Sequence, residues 1–182
     1  MIRIFYSILI FAFVSILPVH SESVNLTKTD IQFTVIHPFK TVIGQCKGTV
    51  VSPVQFQRNA DGLAAPKTLK IEVPIKEIRS GDENRDEHIS EALGYPVHSQ
   101  ITFQLGSIAT SKEEWTISGN LTVNGITKPV KSQAKVRYEG QEIFISGKFQ
   151  VLMSDFEVVA PSLLFTTAKN EVSIEYSFIL KP

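Results

Sequence analysis

The chain has one cysteine, Cys46, in 182 residues, so it can hold no internal disulfide. A domain of this length without that support must rely on its own core, and it is long enough to bury one. Neither charge is in excess, since 18 Lys and Arg stand against 18 Asp and Glu. That balance leaves no basic stripe for nucleic acid. After Leu17 no apolar run is long enough to span a bilayer, which takes about 20 helical residues. The histidines, His20, His37, His88 and His98, show no H-x-x-x-H or H-E-x-x-H spacing, and this argues against a metal site. A G-x-S-x-G elbow, a glycine-rich phosphate loop and a Cys–His signature are also missing. Repeats, low-complexity tracts and interdomain linkers are not seen. No catalytic residue is assigned, and neither an enzyme activity nor a cofactor is expected.

What is present begins with a leader. Arg3 precedes an apolar run, Ile4 to Leu17, broken only by Ser7 and Ser15. Pro18 ends the run, and Val19-His20-Ser21 offers a cleavage site. This is the layout of a secretory signal peptide over 1–21, followed by one domain over 22–182. Cleavage after Ser21 would leave 17 basic against 18 acidic side chains. The expected location is periplasmic or secreted. The other reading is an uncleaved N-terminal anchor.

Period-two alternation dominates the rest. Val130, Ser132, Ala134, Val136 and Tyr138 alternate with Lys131, Gln133, Lys135 and Arg137. Val172, Ile174, Tyr176, Phe178 and Leu180 alternate with Glu171, Ser173, Glu175 and Ser177. Eight such segments are predicted, at 29–36, 41–57, 67–76, 98–110, 113–123, 126–138, 142–152 and 170–180. Asn124-Gly125 and Glu139-Gly140 mark tight hairpins. Pro74 lacks an N–H, which predicts an interruption or a bulge. One stretch is helical, at about 81–93. Ser80 and Glu83 resemble a capping box, and Gly94 stands at C′ with Pro96 beyond it. Pro161 to Phe165 reads as a loop or one helical turn. Eight antiparallel strands solve their edge problem by closing, so the fold class is all-β, an eight-stranded antiparallel barrel with one short helix.

A barrel of eight strands is filled by side chains or holds one small ligand. The inward faces mix small and aromatic residues, with Gly44, Gly119 and Gly147 among Phe33, Phe103, Trp115 and Phe149. These glycines either leave volume for a ligand or only bend the strands. On the first reading the lining is Phe33, Val35, Val42, Gly44, Cys46, Ile71, Phe103, Trp115, Ile117, Gly119, Gly147, Phe149, Leu163 and Phe165. The helix carries the densest polar group. Arg85, His88, Ile89 and Ala92 share one face, so Arg85 and His88, with Asp86, either clasp a head group or dock the helix. His37, at the end of the first strand near a barrel mouth, reads as a turn or surface histidine, with a head-group or helix-docking role as the alternative.

Three stretches carry a family resemblance. FTVIHPFKTVIGQCKG at 33–48, NRDEHISEALGYPVHSQITF at 84–103 and GNLTVNGITKPV at 119–130 resemble motifs of the YceI-like family. That family comprises exported, lipocalin-like barrels that bind polyisoprenoids and other lipids. Asp155 and Phe156 match a further family motif, but its arginine and glycine are replaced here, and Cys46 stands where a phenylalanine is common. The resemblance implies a carrier holding an elongated apolar or amphiphilic ligand inside the barrel, such as an isoprenoid, a quinone or a fatty-acid-like lipid. It leaves a homodimer open. Two other readings stay open as well, a solid-packed interaction module without a ligand and an enzyme using Arg85, Asp86 and His88.

Overall fold

A computed structural model describes residues 21–52, 54–59, 62–63, 65–111 and 113–181. The expected signal peptide lies outside these residues except for Ser21, which starts the first strand. In chain order the strands are β1 (Ser21–His37), β2 (Lys40–Cys46), β3 (Val50–Val51), β4 (Val54–Asn59), β5 (Gly62–Leu63), β6 (Lys70–Pro74) and β7 (Ile78–Arg79). Helix α1 (Glu83–Ala92) follows. Then come β8 (Gln100–Thr110), β9 (Glu114–Val123), β10 (Ile126–Glu139), β11 (Glu142–Leu152), β12 (Ser162–Leu163), β13 (Thr166–Thr167) and β14 (Glu171–Lys181).

Antiparallel pairing runs without a break from β6 through β8, β9, β10, β11, β14 and β1 to β2. The circle closes through a divided seam. β2 continues into β3 and β6 into β7, and these pair with one another as Cys46↔Ile78 and Val51↔Ile71. Counting each continuation as one stave gives the eight-stranded barrel that the alternation predicts.

The segment expected to be one strand over 41–57 is divided, and the reason is local. Gly48 has φ +63, and the Lys47 N–H donates across the seam to the Glu77 carbonyl at 3.1 Å. β4 then leaves the barrel wall to pair with the start of β1, Val54 opposite Val24. On the partner stave Pro74 has no N–H to donate, and a 3₁₀ turn at Ile75–Glu77 follows it. Ile75 and Ile78, each 1% exposed, pin the seam to the core.

The hairpin at Asn124-Gly125 has φ of 50 and 74, as its turn type requires. The helix start differs from the expected capping box. Asp82 is the N-cap, and its carboxylate accepts the Arg85 N–H at 2.9 Å. That bond holds the Asp82 carboxyl below its ordinary value. Ser80 lies outside the helix and serves another purpose described below. At the other end Gly94, with φ +91, follows the C-cap Leu93.

The two ends of the barrel are packed differently. At one end Trp115, Ala134, Val136, Ile143, Ile145 and Leu180 form a solid plug with Val54. At the other end stand α1, the β1–β2 turn and the 157–167 segment.

Candidate functional site

Above the plug the barrel is hollow. A cavity of about 470 Å³ runs from Ile117, Phe178 and Leu69 to a mouth bordered by His37, Lys40, Arg85, His88, Val159 and Leu163. This volume is within the range of small-ligand pockets. Its wall is almost wholly aliphatic and aromatic, because the inward half of each alternating strand is apolar.

Of the residues singled out from the sequence, Phe33, Val35, Val42, Cys46, Ile71, Phe103, Ile117, Phe149 and Leu163 line this cavity. Trp115 does not. It faces inward but lies in the plug, 2% exposed. Phe165 stands fully exposed on the outer tip of the β12–β13 hairpin, not in the wall.

The glycines have a different role from the two expected. A Cβ on Gly44 would come within 3.0 Å of three Phe33 ring atoms, and one on Gly119 would meet the Phe103 ring at 2.5 Å. One on Gly147 would fall on the Tyr176 phenol. Each glycine is a shelf on which an aromatic ring of a neighbouring strand lies flat. The space beside them is therefore filled by protein, and the cavity lies beyond the rings.

Polar groups inside are few. Tyr176 Oη and Ser132 Oγ are 2.9 Å apart, and burial pushes the Tyr176 phenol up, so it remains protonated. The Cys46 thiol is pushed up from 9.0 to about 12, first by burial and then by the charge of Asp30. At pH 8 about one thiol in 10⁴ would be ionised. Iodoacetamide at pH 8 is therefore expected to leave Cys46 unmodified in the folded protein and to label it in urea, as counted by intact mass. The sign follows from the raised value. The neutral thiol contributes stability fully below pH 9.0, and that contribution is lost as pH rises toward 12.

His37 is buried, 8% exposed. Its Nδ1 accepts the Phe39 N–H at 3.2 Å, which leaves Nε2 to donate to the Thr166 carbonyl at 3.2 Å. It is thus a strut tying the β1–β2 turn to the β12–β13 hairpin, at the turn as one of the two readings had it and buried instead of on the surface. The alternation held the signal, since His37 continues the inward series of Phe33 and Val35.

The helix polar group divides. Asp86 Oδ1 accepts both the N–H and the hydroxyl of Ser80, and Asp86 does not line the cavity. Arg85 donates from Nε to Ser80 Oγ at 2.8 Å and from Nη2 to the Ser80 carbonyl at 2.7 Å, while its stem borders the mouth. His88 borders the mouth and is exposed. Ile89, Ala92 and Leu93 complete the helix's contribution. Arg85→Ala is expected to lower stability by about 1–3 kcal/mol, because the half-buried Ser80 turn loses two donors, and urea titration would measure it.

Sequence reasoning did not single out Tyr176, Ser132, Val130, Ile174 or Phe178 as lining, although each sits on the inward register of its strand. Phe156 could not be found by alternation. It is 2% exposed and comes from a 3₁₀ turn, Met153–Phe156, which folds over the end of β11. Among the described residues no group of three or more His, Cys, Asp or Glu could hold a metal ion.

Fold and cavity together define a closed antiparallel barrel, plugged at one end and hollow at the other. The chain belongs to the YceI-like domain family, matched over residues 23–180. It is 36% identical over 81 residues to a UPF0312 protein of Pectobacterium carotovorum, a match covering 42% of each chain. It is 29% identical over 119 residues to protein YceI of Salmonella arizonae, covering 63% of this chain and 62% of that one. The matched stretches thus span less than two thirds of these relatives. Among solved structures, BcnA of Burkholderia cenocepacia superposes with TM-score 0.71 at 16% identity, over 83% of this chain and 95% of that one. A polyisoprenoid binding domain from Saccharophagus degradans superposes with TM-score 0.65 at 12% identity, over 87% and 97%.

Proposed function

We propose that the chain is an exported carrier that holds one elongated apolar or amphiphilic molecule, of isoprenoid, quinone or fatty-acid-like chemistry, with its chain in the barrel. The observation that carries this reading is the cavity of about 470 Å³ with an almost wholly apolar wall and few polar groups, chiefly the Tyr176–Ser132 pair and the Cys46 thiol, in its interior. Water would find few partners there, whereas a hydrocarbon chain is at home. Each buried methylene contributes ~0.8 kcal/mol, so ten give ~8 kcal/mol before ordering costs, which is micromolar binding at most. The similarity to a polyisoprenoid binding domain supports the same class of ligand. Arg85 and His88 stand where the polar end of such a molecule would emerge. A hollow interior counts against the solid-packed interaction module. The division of Arg85 and Asp86 onto Ser80 favours binding over catalysis at the helix.

The test is extraction of the purified protein into organic solvent, with mass spectrometry of what is released. A stoichiometric long-chain lipid is expected. Protein that carries none, and that takes up none when mixed with isoprenols, quinones or fatty acids, would overturn the reading. Export over the 1–21 leader is checked separately by N-terminal sequencing, with Glu22 expected first.

A further inference from the structure

One turn of the fold contradicts the chain's own practice. Among the described residues, two hairpins have two-residue loops whose central residues both take positive φ. At 124–125 the residues are Asn and Gly, which accept that conformation readily. At 164–165 they are Leu and Phe, with φ of 48 and 68. Bulky residues are rare there, because the side chain crowds its own backbone. The flanking pairs hold the turn closed, but the two side chains themselves gain no burial from it, since Leu164 is 71% exposed and Phe165 fully so. Backbone strain of this kind, held in place by the surrounding structure, clusters at functional sites.

The tip does not stand alone. His37 joins it to the β1–β2 turn, accepting from Phe39 and donating to Thr166, and the Lys169 N–H donates to the Ile36 carbonyl at 2.8 Å. Phe39 is 58% exposed and Val159 83% exposed on the adjoining loops. These loops border the cavity mouth, where Val159 and Leu163 are part of the wall. A rim of large apolar side chains thus projects from the entrance itself. Lys40 and Lys169 flank these loops, and Asp155, Glu157 and Glu171 lie along the same segments. Acids also face this region from α1, with Asp82 near enough to sense the Lys40 charge.

We infer that the Leu164–Phe165 hairpin, with Phe39 and Val159, docks the barrel mouth on a lipid bilayer. The apolar tips enter the interface, and Lys40 and Lys169 lie against lipid phosphates. The choice of a bilayer rests in part on the proposed cargo, because a molecule insoluble in water must be collected from and returned to a membrane. It rests equally on shape and position. The tip is convex and stands at the cavity mouth, so it inserts into a deformable surface, and Lys40 and Lys169 beside it can meet lipid phosphates.

The full chain is tested against phosphatidylcholine vesicles with and without phosphatidylglycerol. In a Phe165→Trp variant the new indole is expected to shift to the blue on vesicle addition and to be quenched by brominated lipid. Trp115, buried in the plug, stays unchanged in the parent protein. The double variant Leu164→Asn/Phe165→Gly restores the turn used at 124–125. It should melt no lower than the parent yet lose at least tenfold in vesicle partition, since two exposed apolar side chains are gone. Undiminished partition of that variant, or a parent protein that does not bind vesicles, overturns the proposal. A parent that instead dimerises through this tip and ignores vesicles overturns it as well. Lipid content of the purified double variant separates the two readings. Cargo retained by that variant with docking lost supports both, whereas a parent protein that is empty yet docks, and whose double variant does not dock, removes only the cargo.

Discussion

Trp115→Ala is expected to lower the stability of the barrel by about 3–5 kcal/mol, the range for deleting a fully buried aromatic side chain. Trp115 is 2% exposed and is the largest member of the plug, held among Ala134, Val136, Ile143, Ile145 and Leu180. Its neighbours are on strands locked by ladders on both sides, Ala134↔Trp115 and Val136↔Ile145, so they cannot collapse into the vacancy. The void would also lie directly below Ile117, which lines the cavity. The variant therefore extends the tube as it weakens the fold. Urea unfolding monitored by far-ultraviolet circular dichroism measures the loss. A change below about 1 kcal/mol would mean that the plug is not the rigid floor described here.

The strands of this barrel were legible because each one has a wet and a dry face, and a period of two can be read without any partner. Val130, Ser132, Ala134 and Val136 needed no structure to be placed inward. The helix was legible from Gly94 and from the shared face of Arg85, His88, Ile89 and Ala92. Its start was not, because Ser80 and Asp82 are both good caps and only three-dimensional position decides between them. Asp86 draws Ser80 into a separate clasp, and Asp82 is left to cap. The break at Gly48 was hidden for a similar reason, since the Glu77 carbonyl that receives the Lys47 N–H lies on a distant segment. The tip at Leu164-Phe165 was read as a loop or a helical turn. Two bulky residues give no hint of positive φ, and the hairpin is imposed by the Ser162↔Thr167 and Leu163↔Thr166 pairs.

The inward glycines show the same limit and lead to the second large effect. Facing was readable from the alternation, but what lies above a glycine depends on the strand next to it. Gly119 supports the ring of Phe103, its neighbour across β8, and the Gln104 carbonyl passes 2.5 Å from where a Cβ would stand. A bulky residue there would push against backbone and break the wall instead of filling the tube. Gly147→Phe would collide with Tyr176 in the same way.

The substitution that obstructs the tube must start from a residue already at its surface, and Val130→Trp does so. Val130 lines the cavity and packs with Leu121, Val123 and Phe156 around the hollow half of the barrel. An indole placed there enters empty space, so its overpacking cost is expected near the low end of about 1–3 kcal/mol. The variant should fold, with its melting temperature within a few degrees of the parent. The indole narrows the tube of about 470 Å³ without filling it, and every methylene it displaces costs ~0.8 kcal/mol of binding. The expected result is a marked loss of copurifying lipid, or a shift to shorter chains, from a folded protein, read by solvent extraction and mass spectrometry beside a circular dichroism spectrum. Ala92→Trp, on the helix at the mouth, provides an independent obstruction that leaves the wall untouched. If both variants fold and both carry the parent's lipid at the parent's stoichiometry, the ligand does not lie in this cavity.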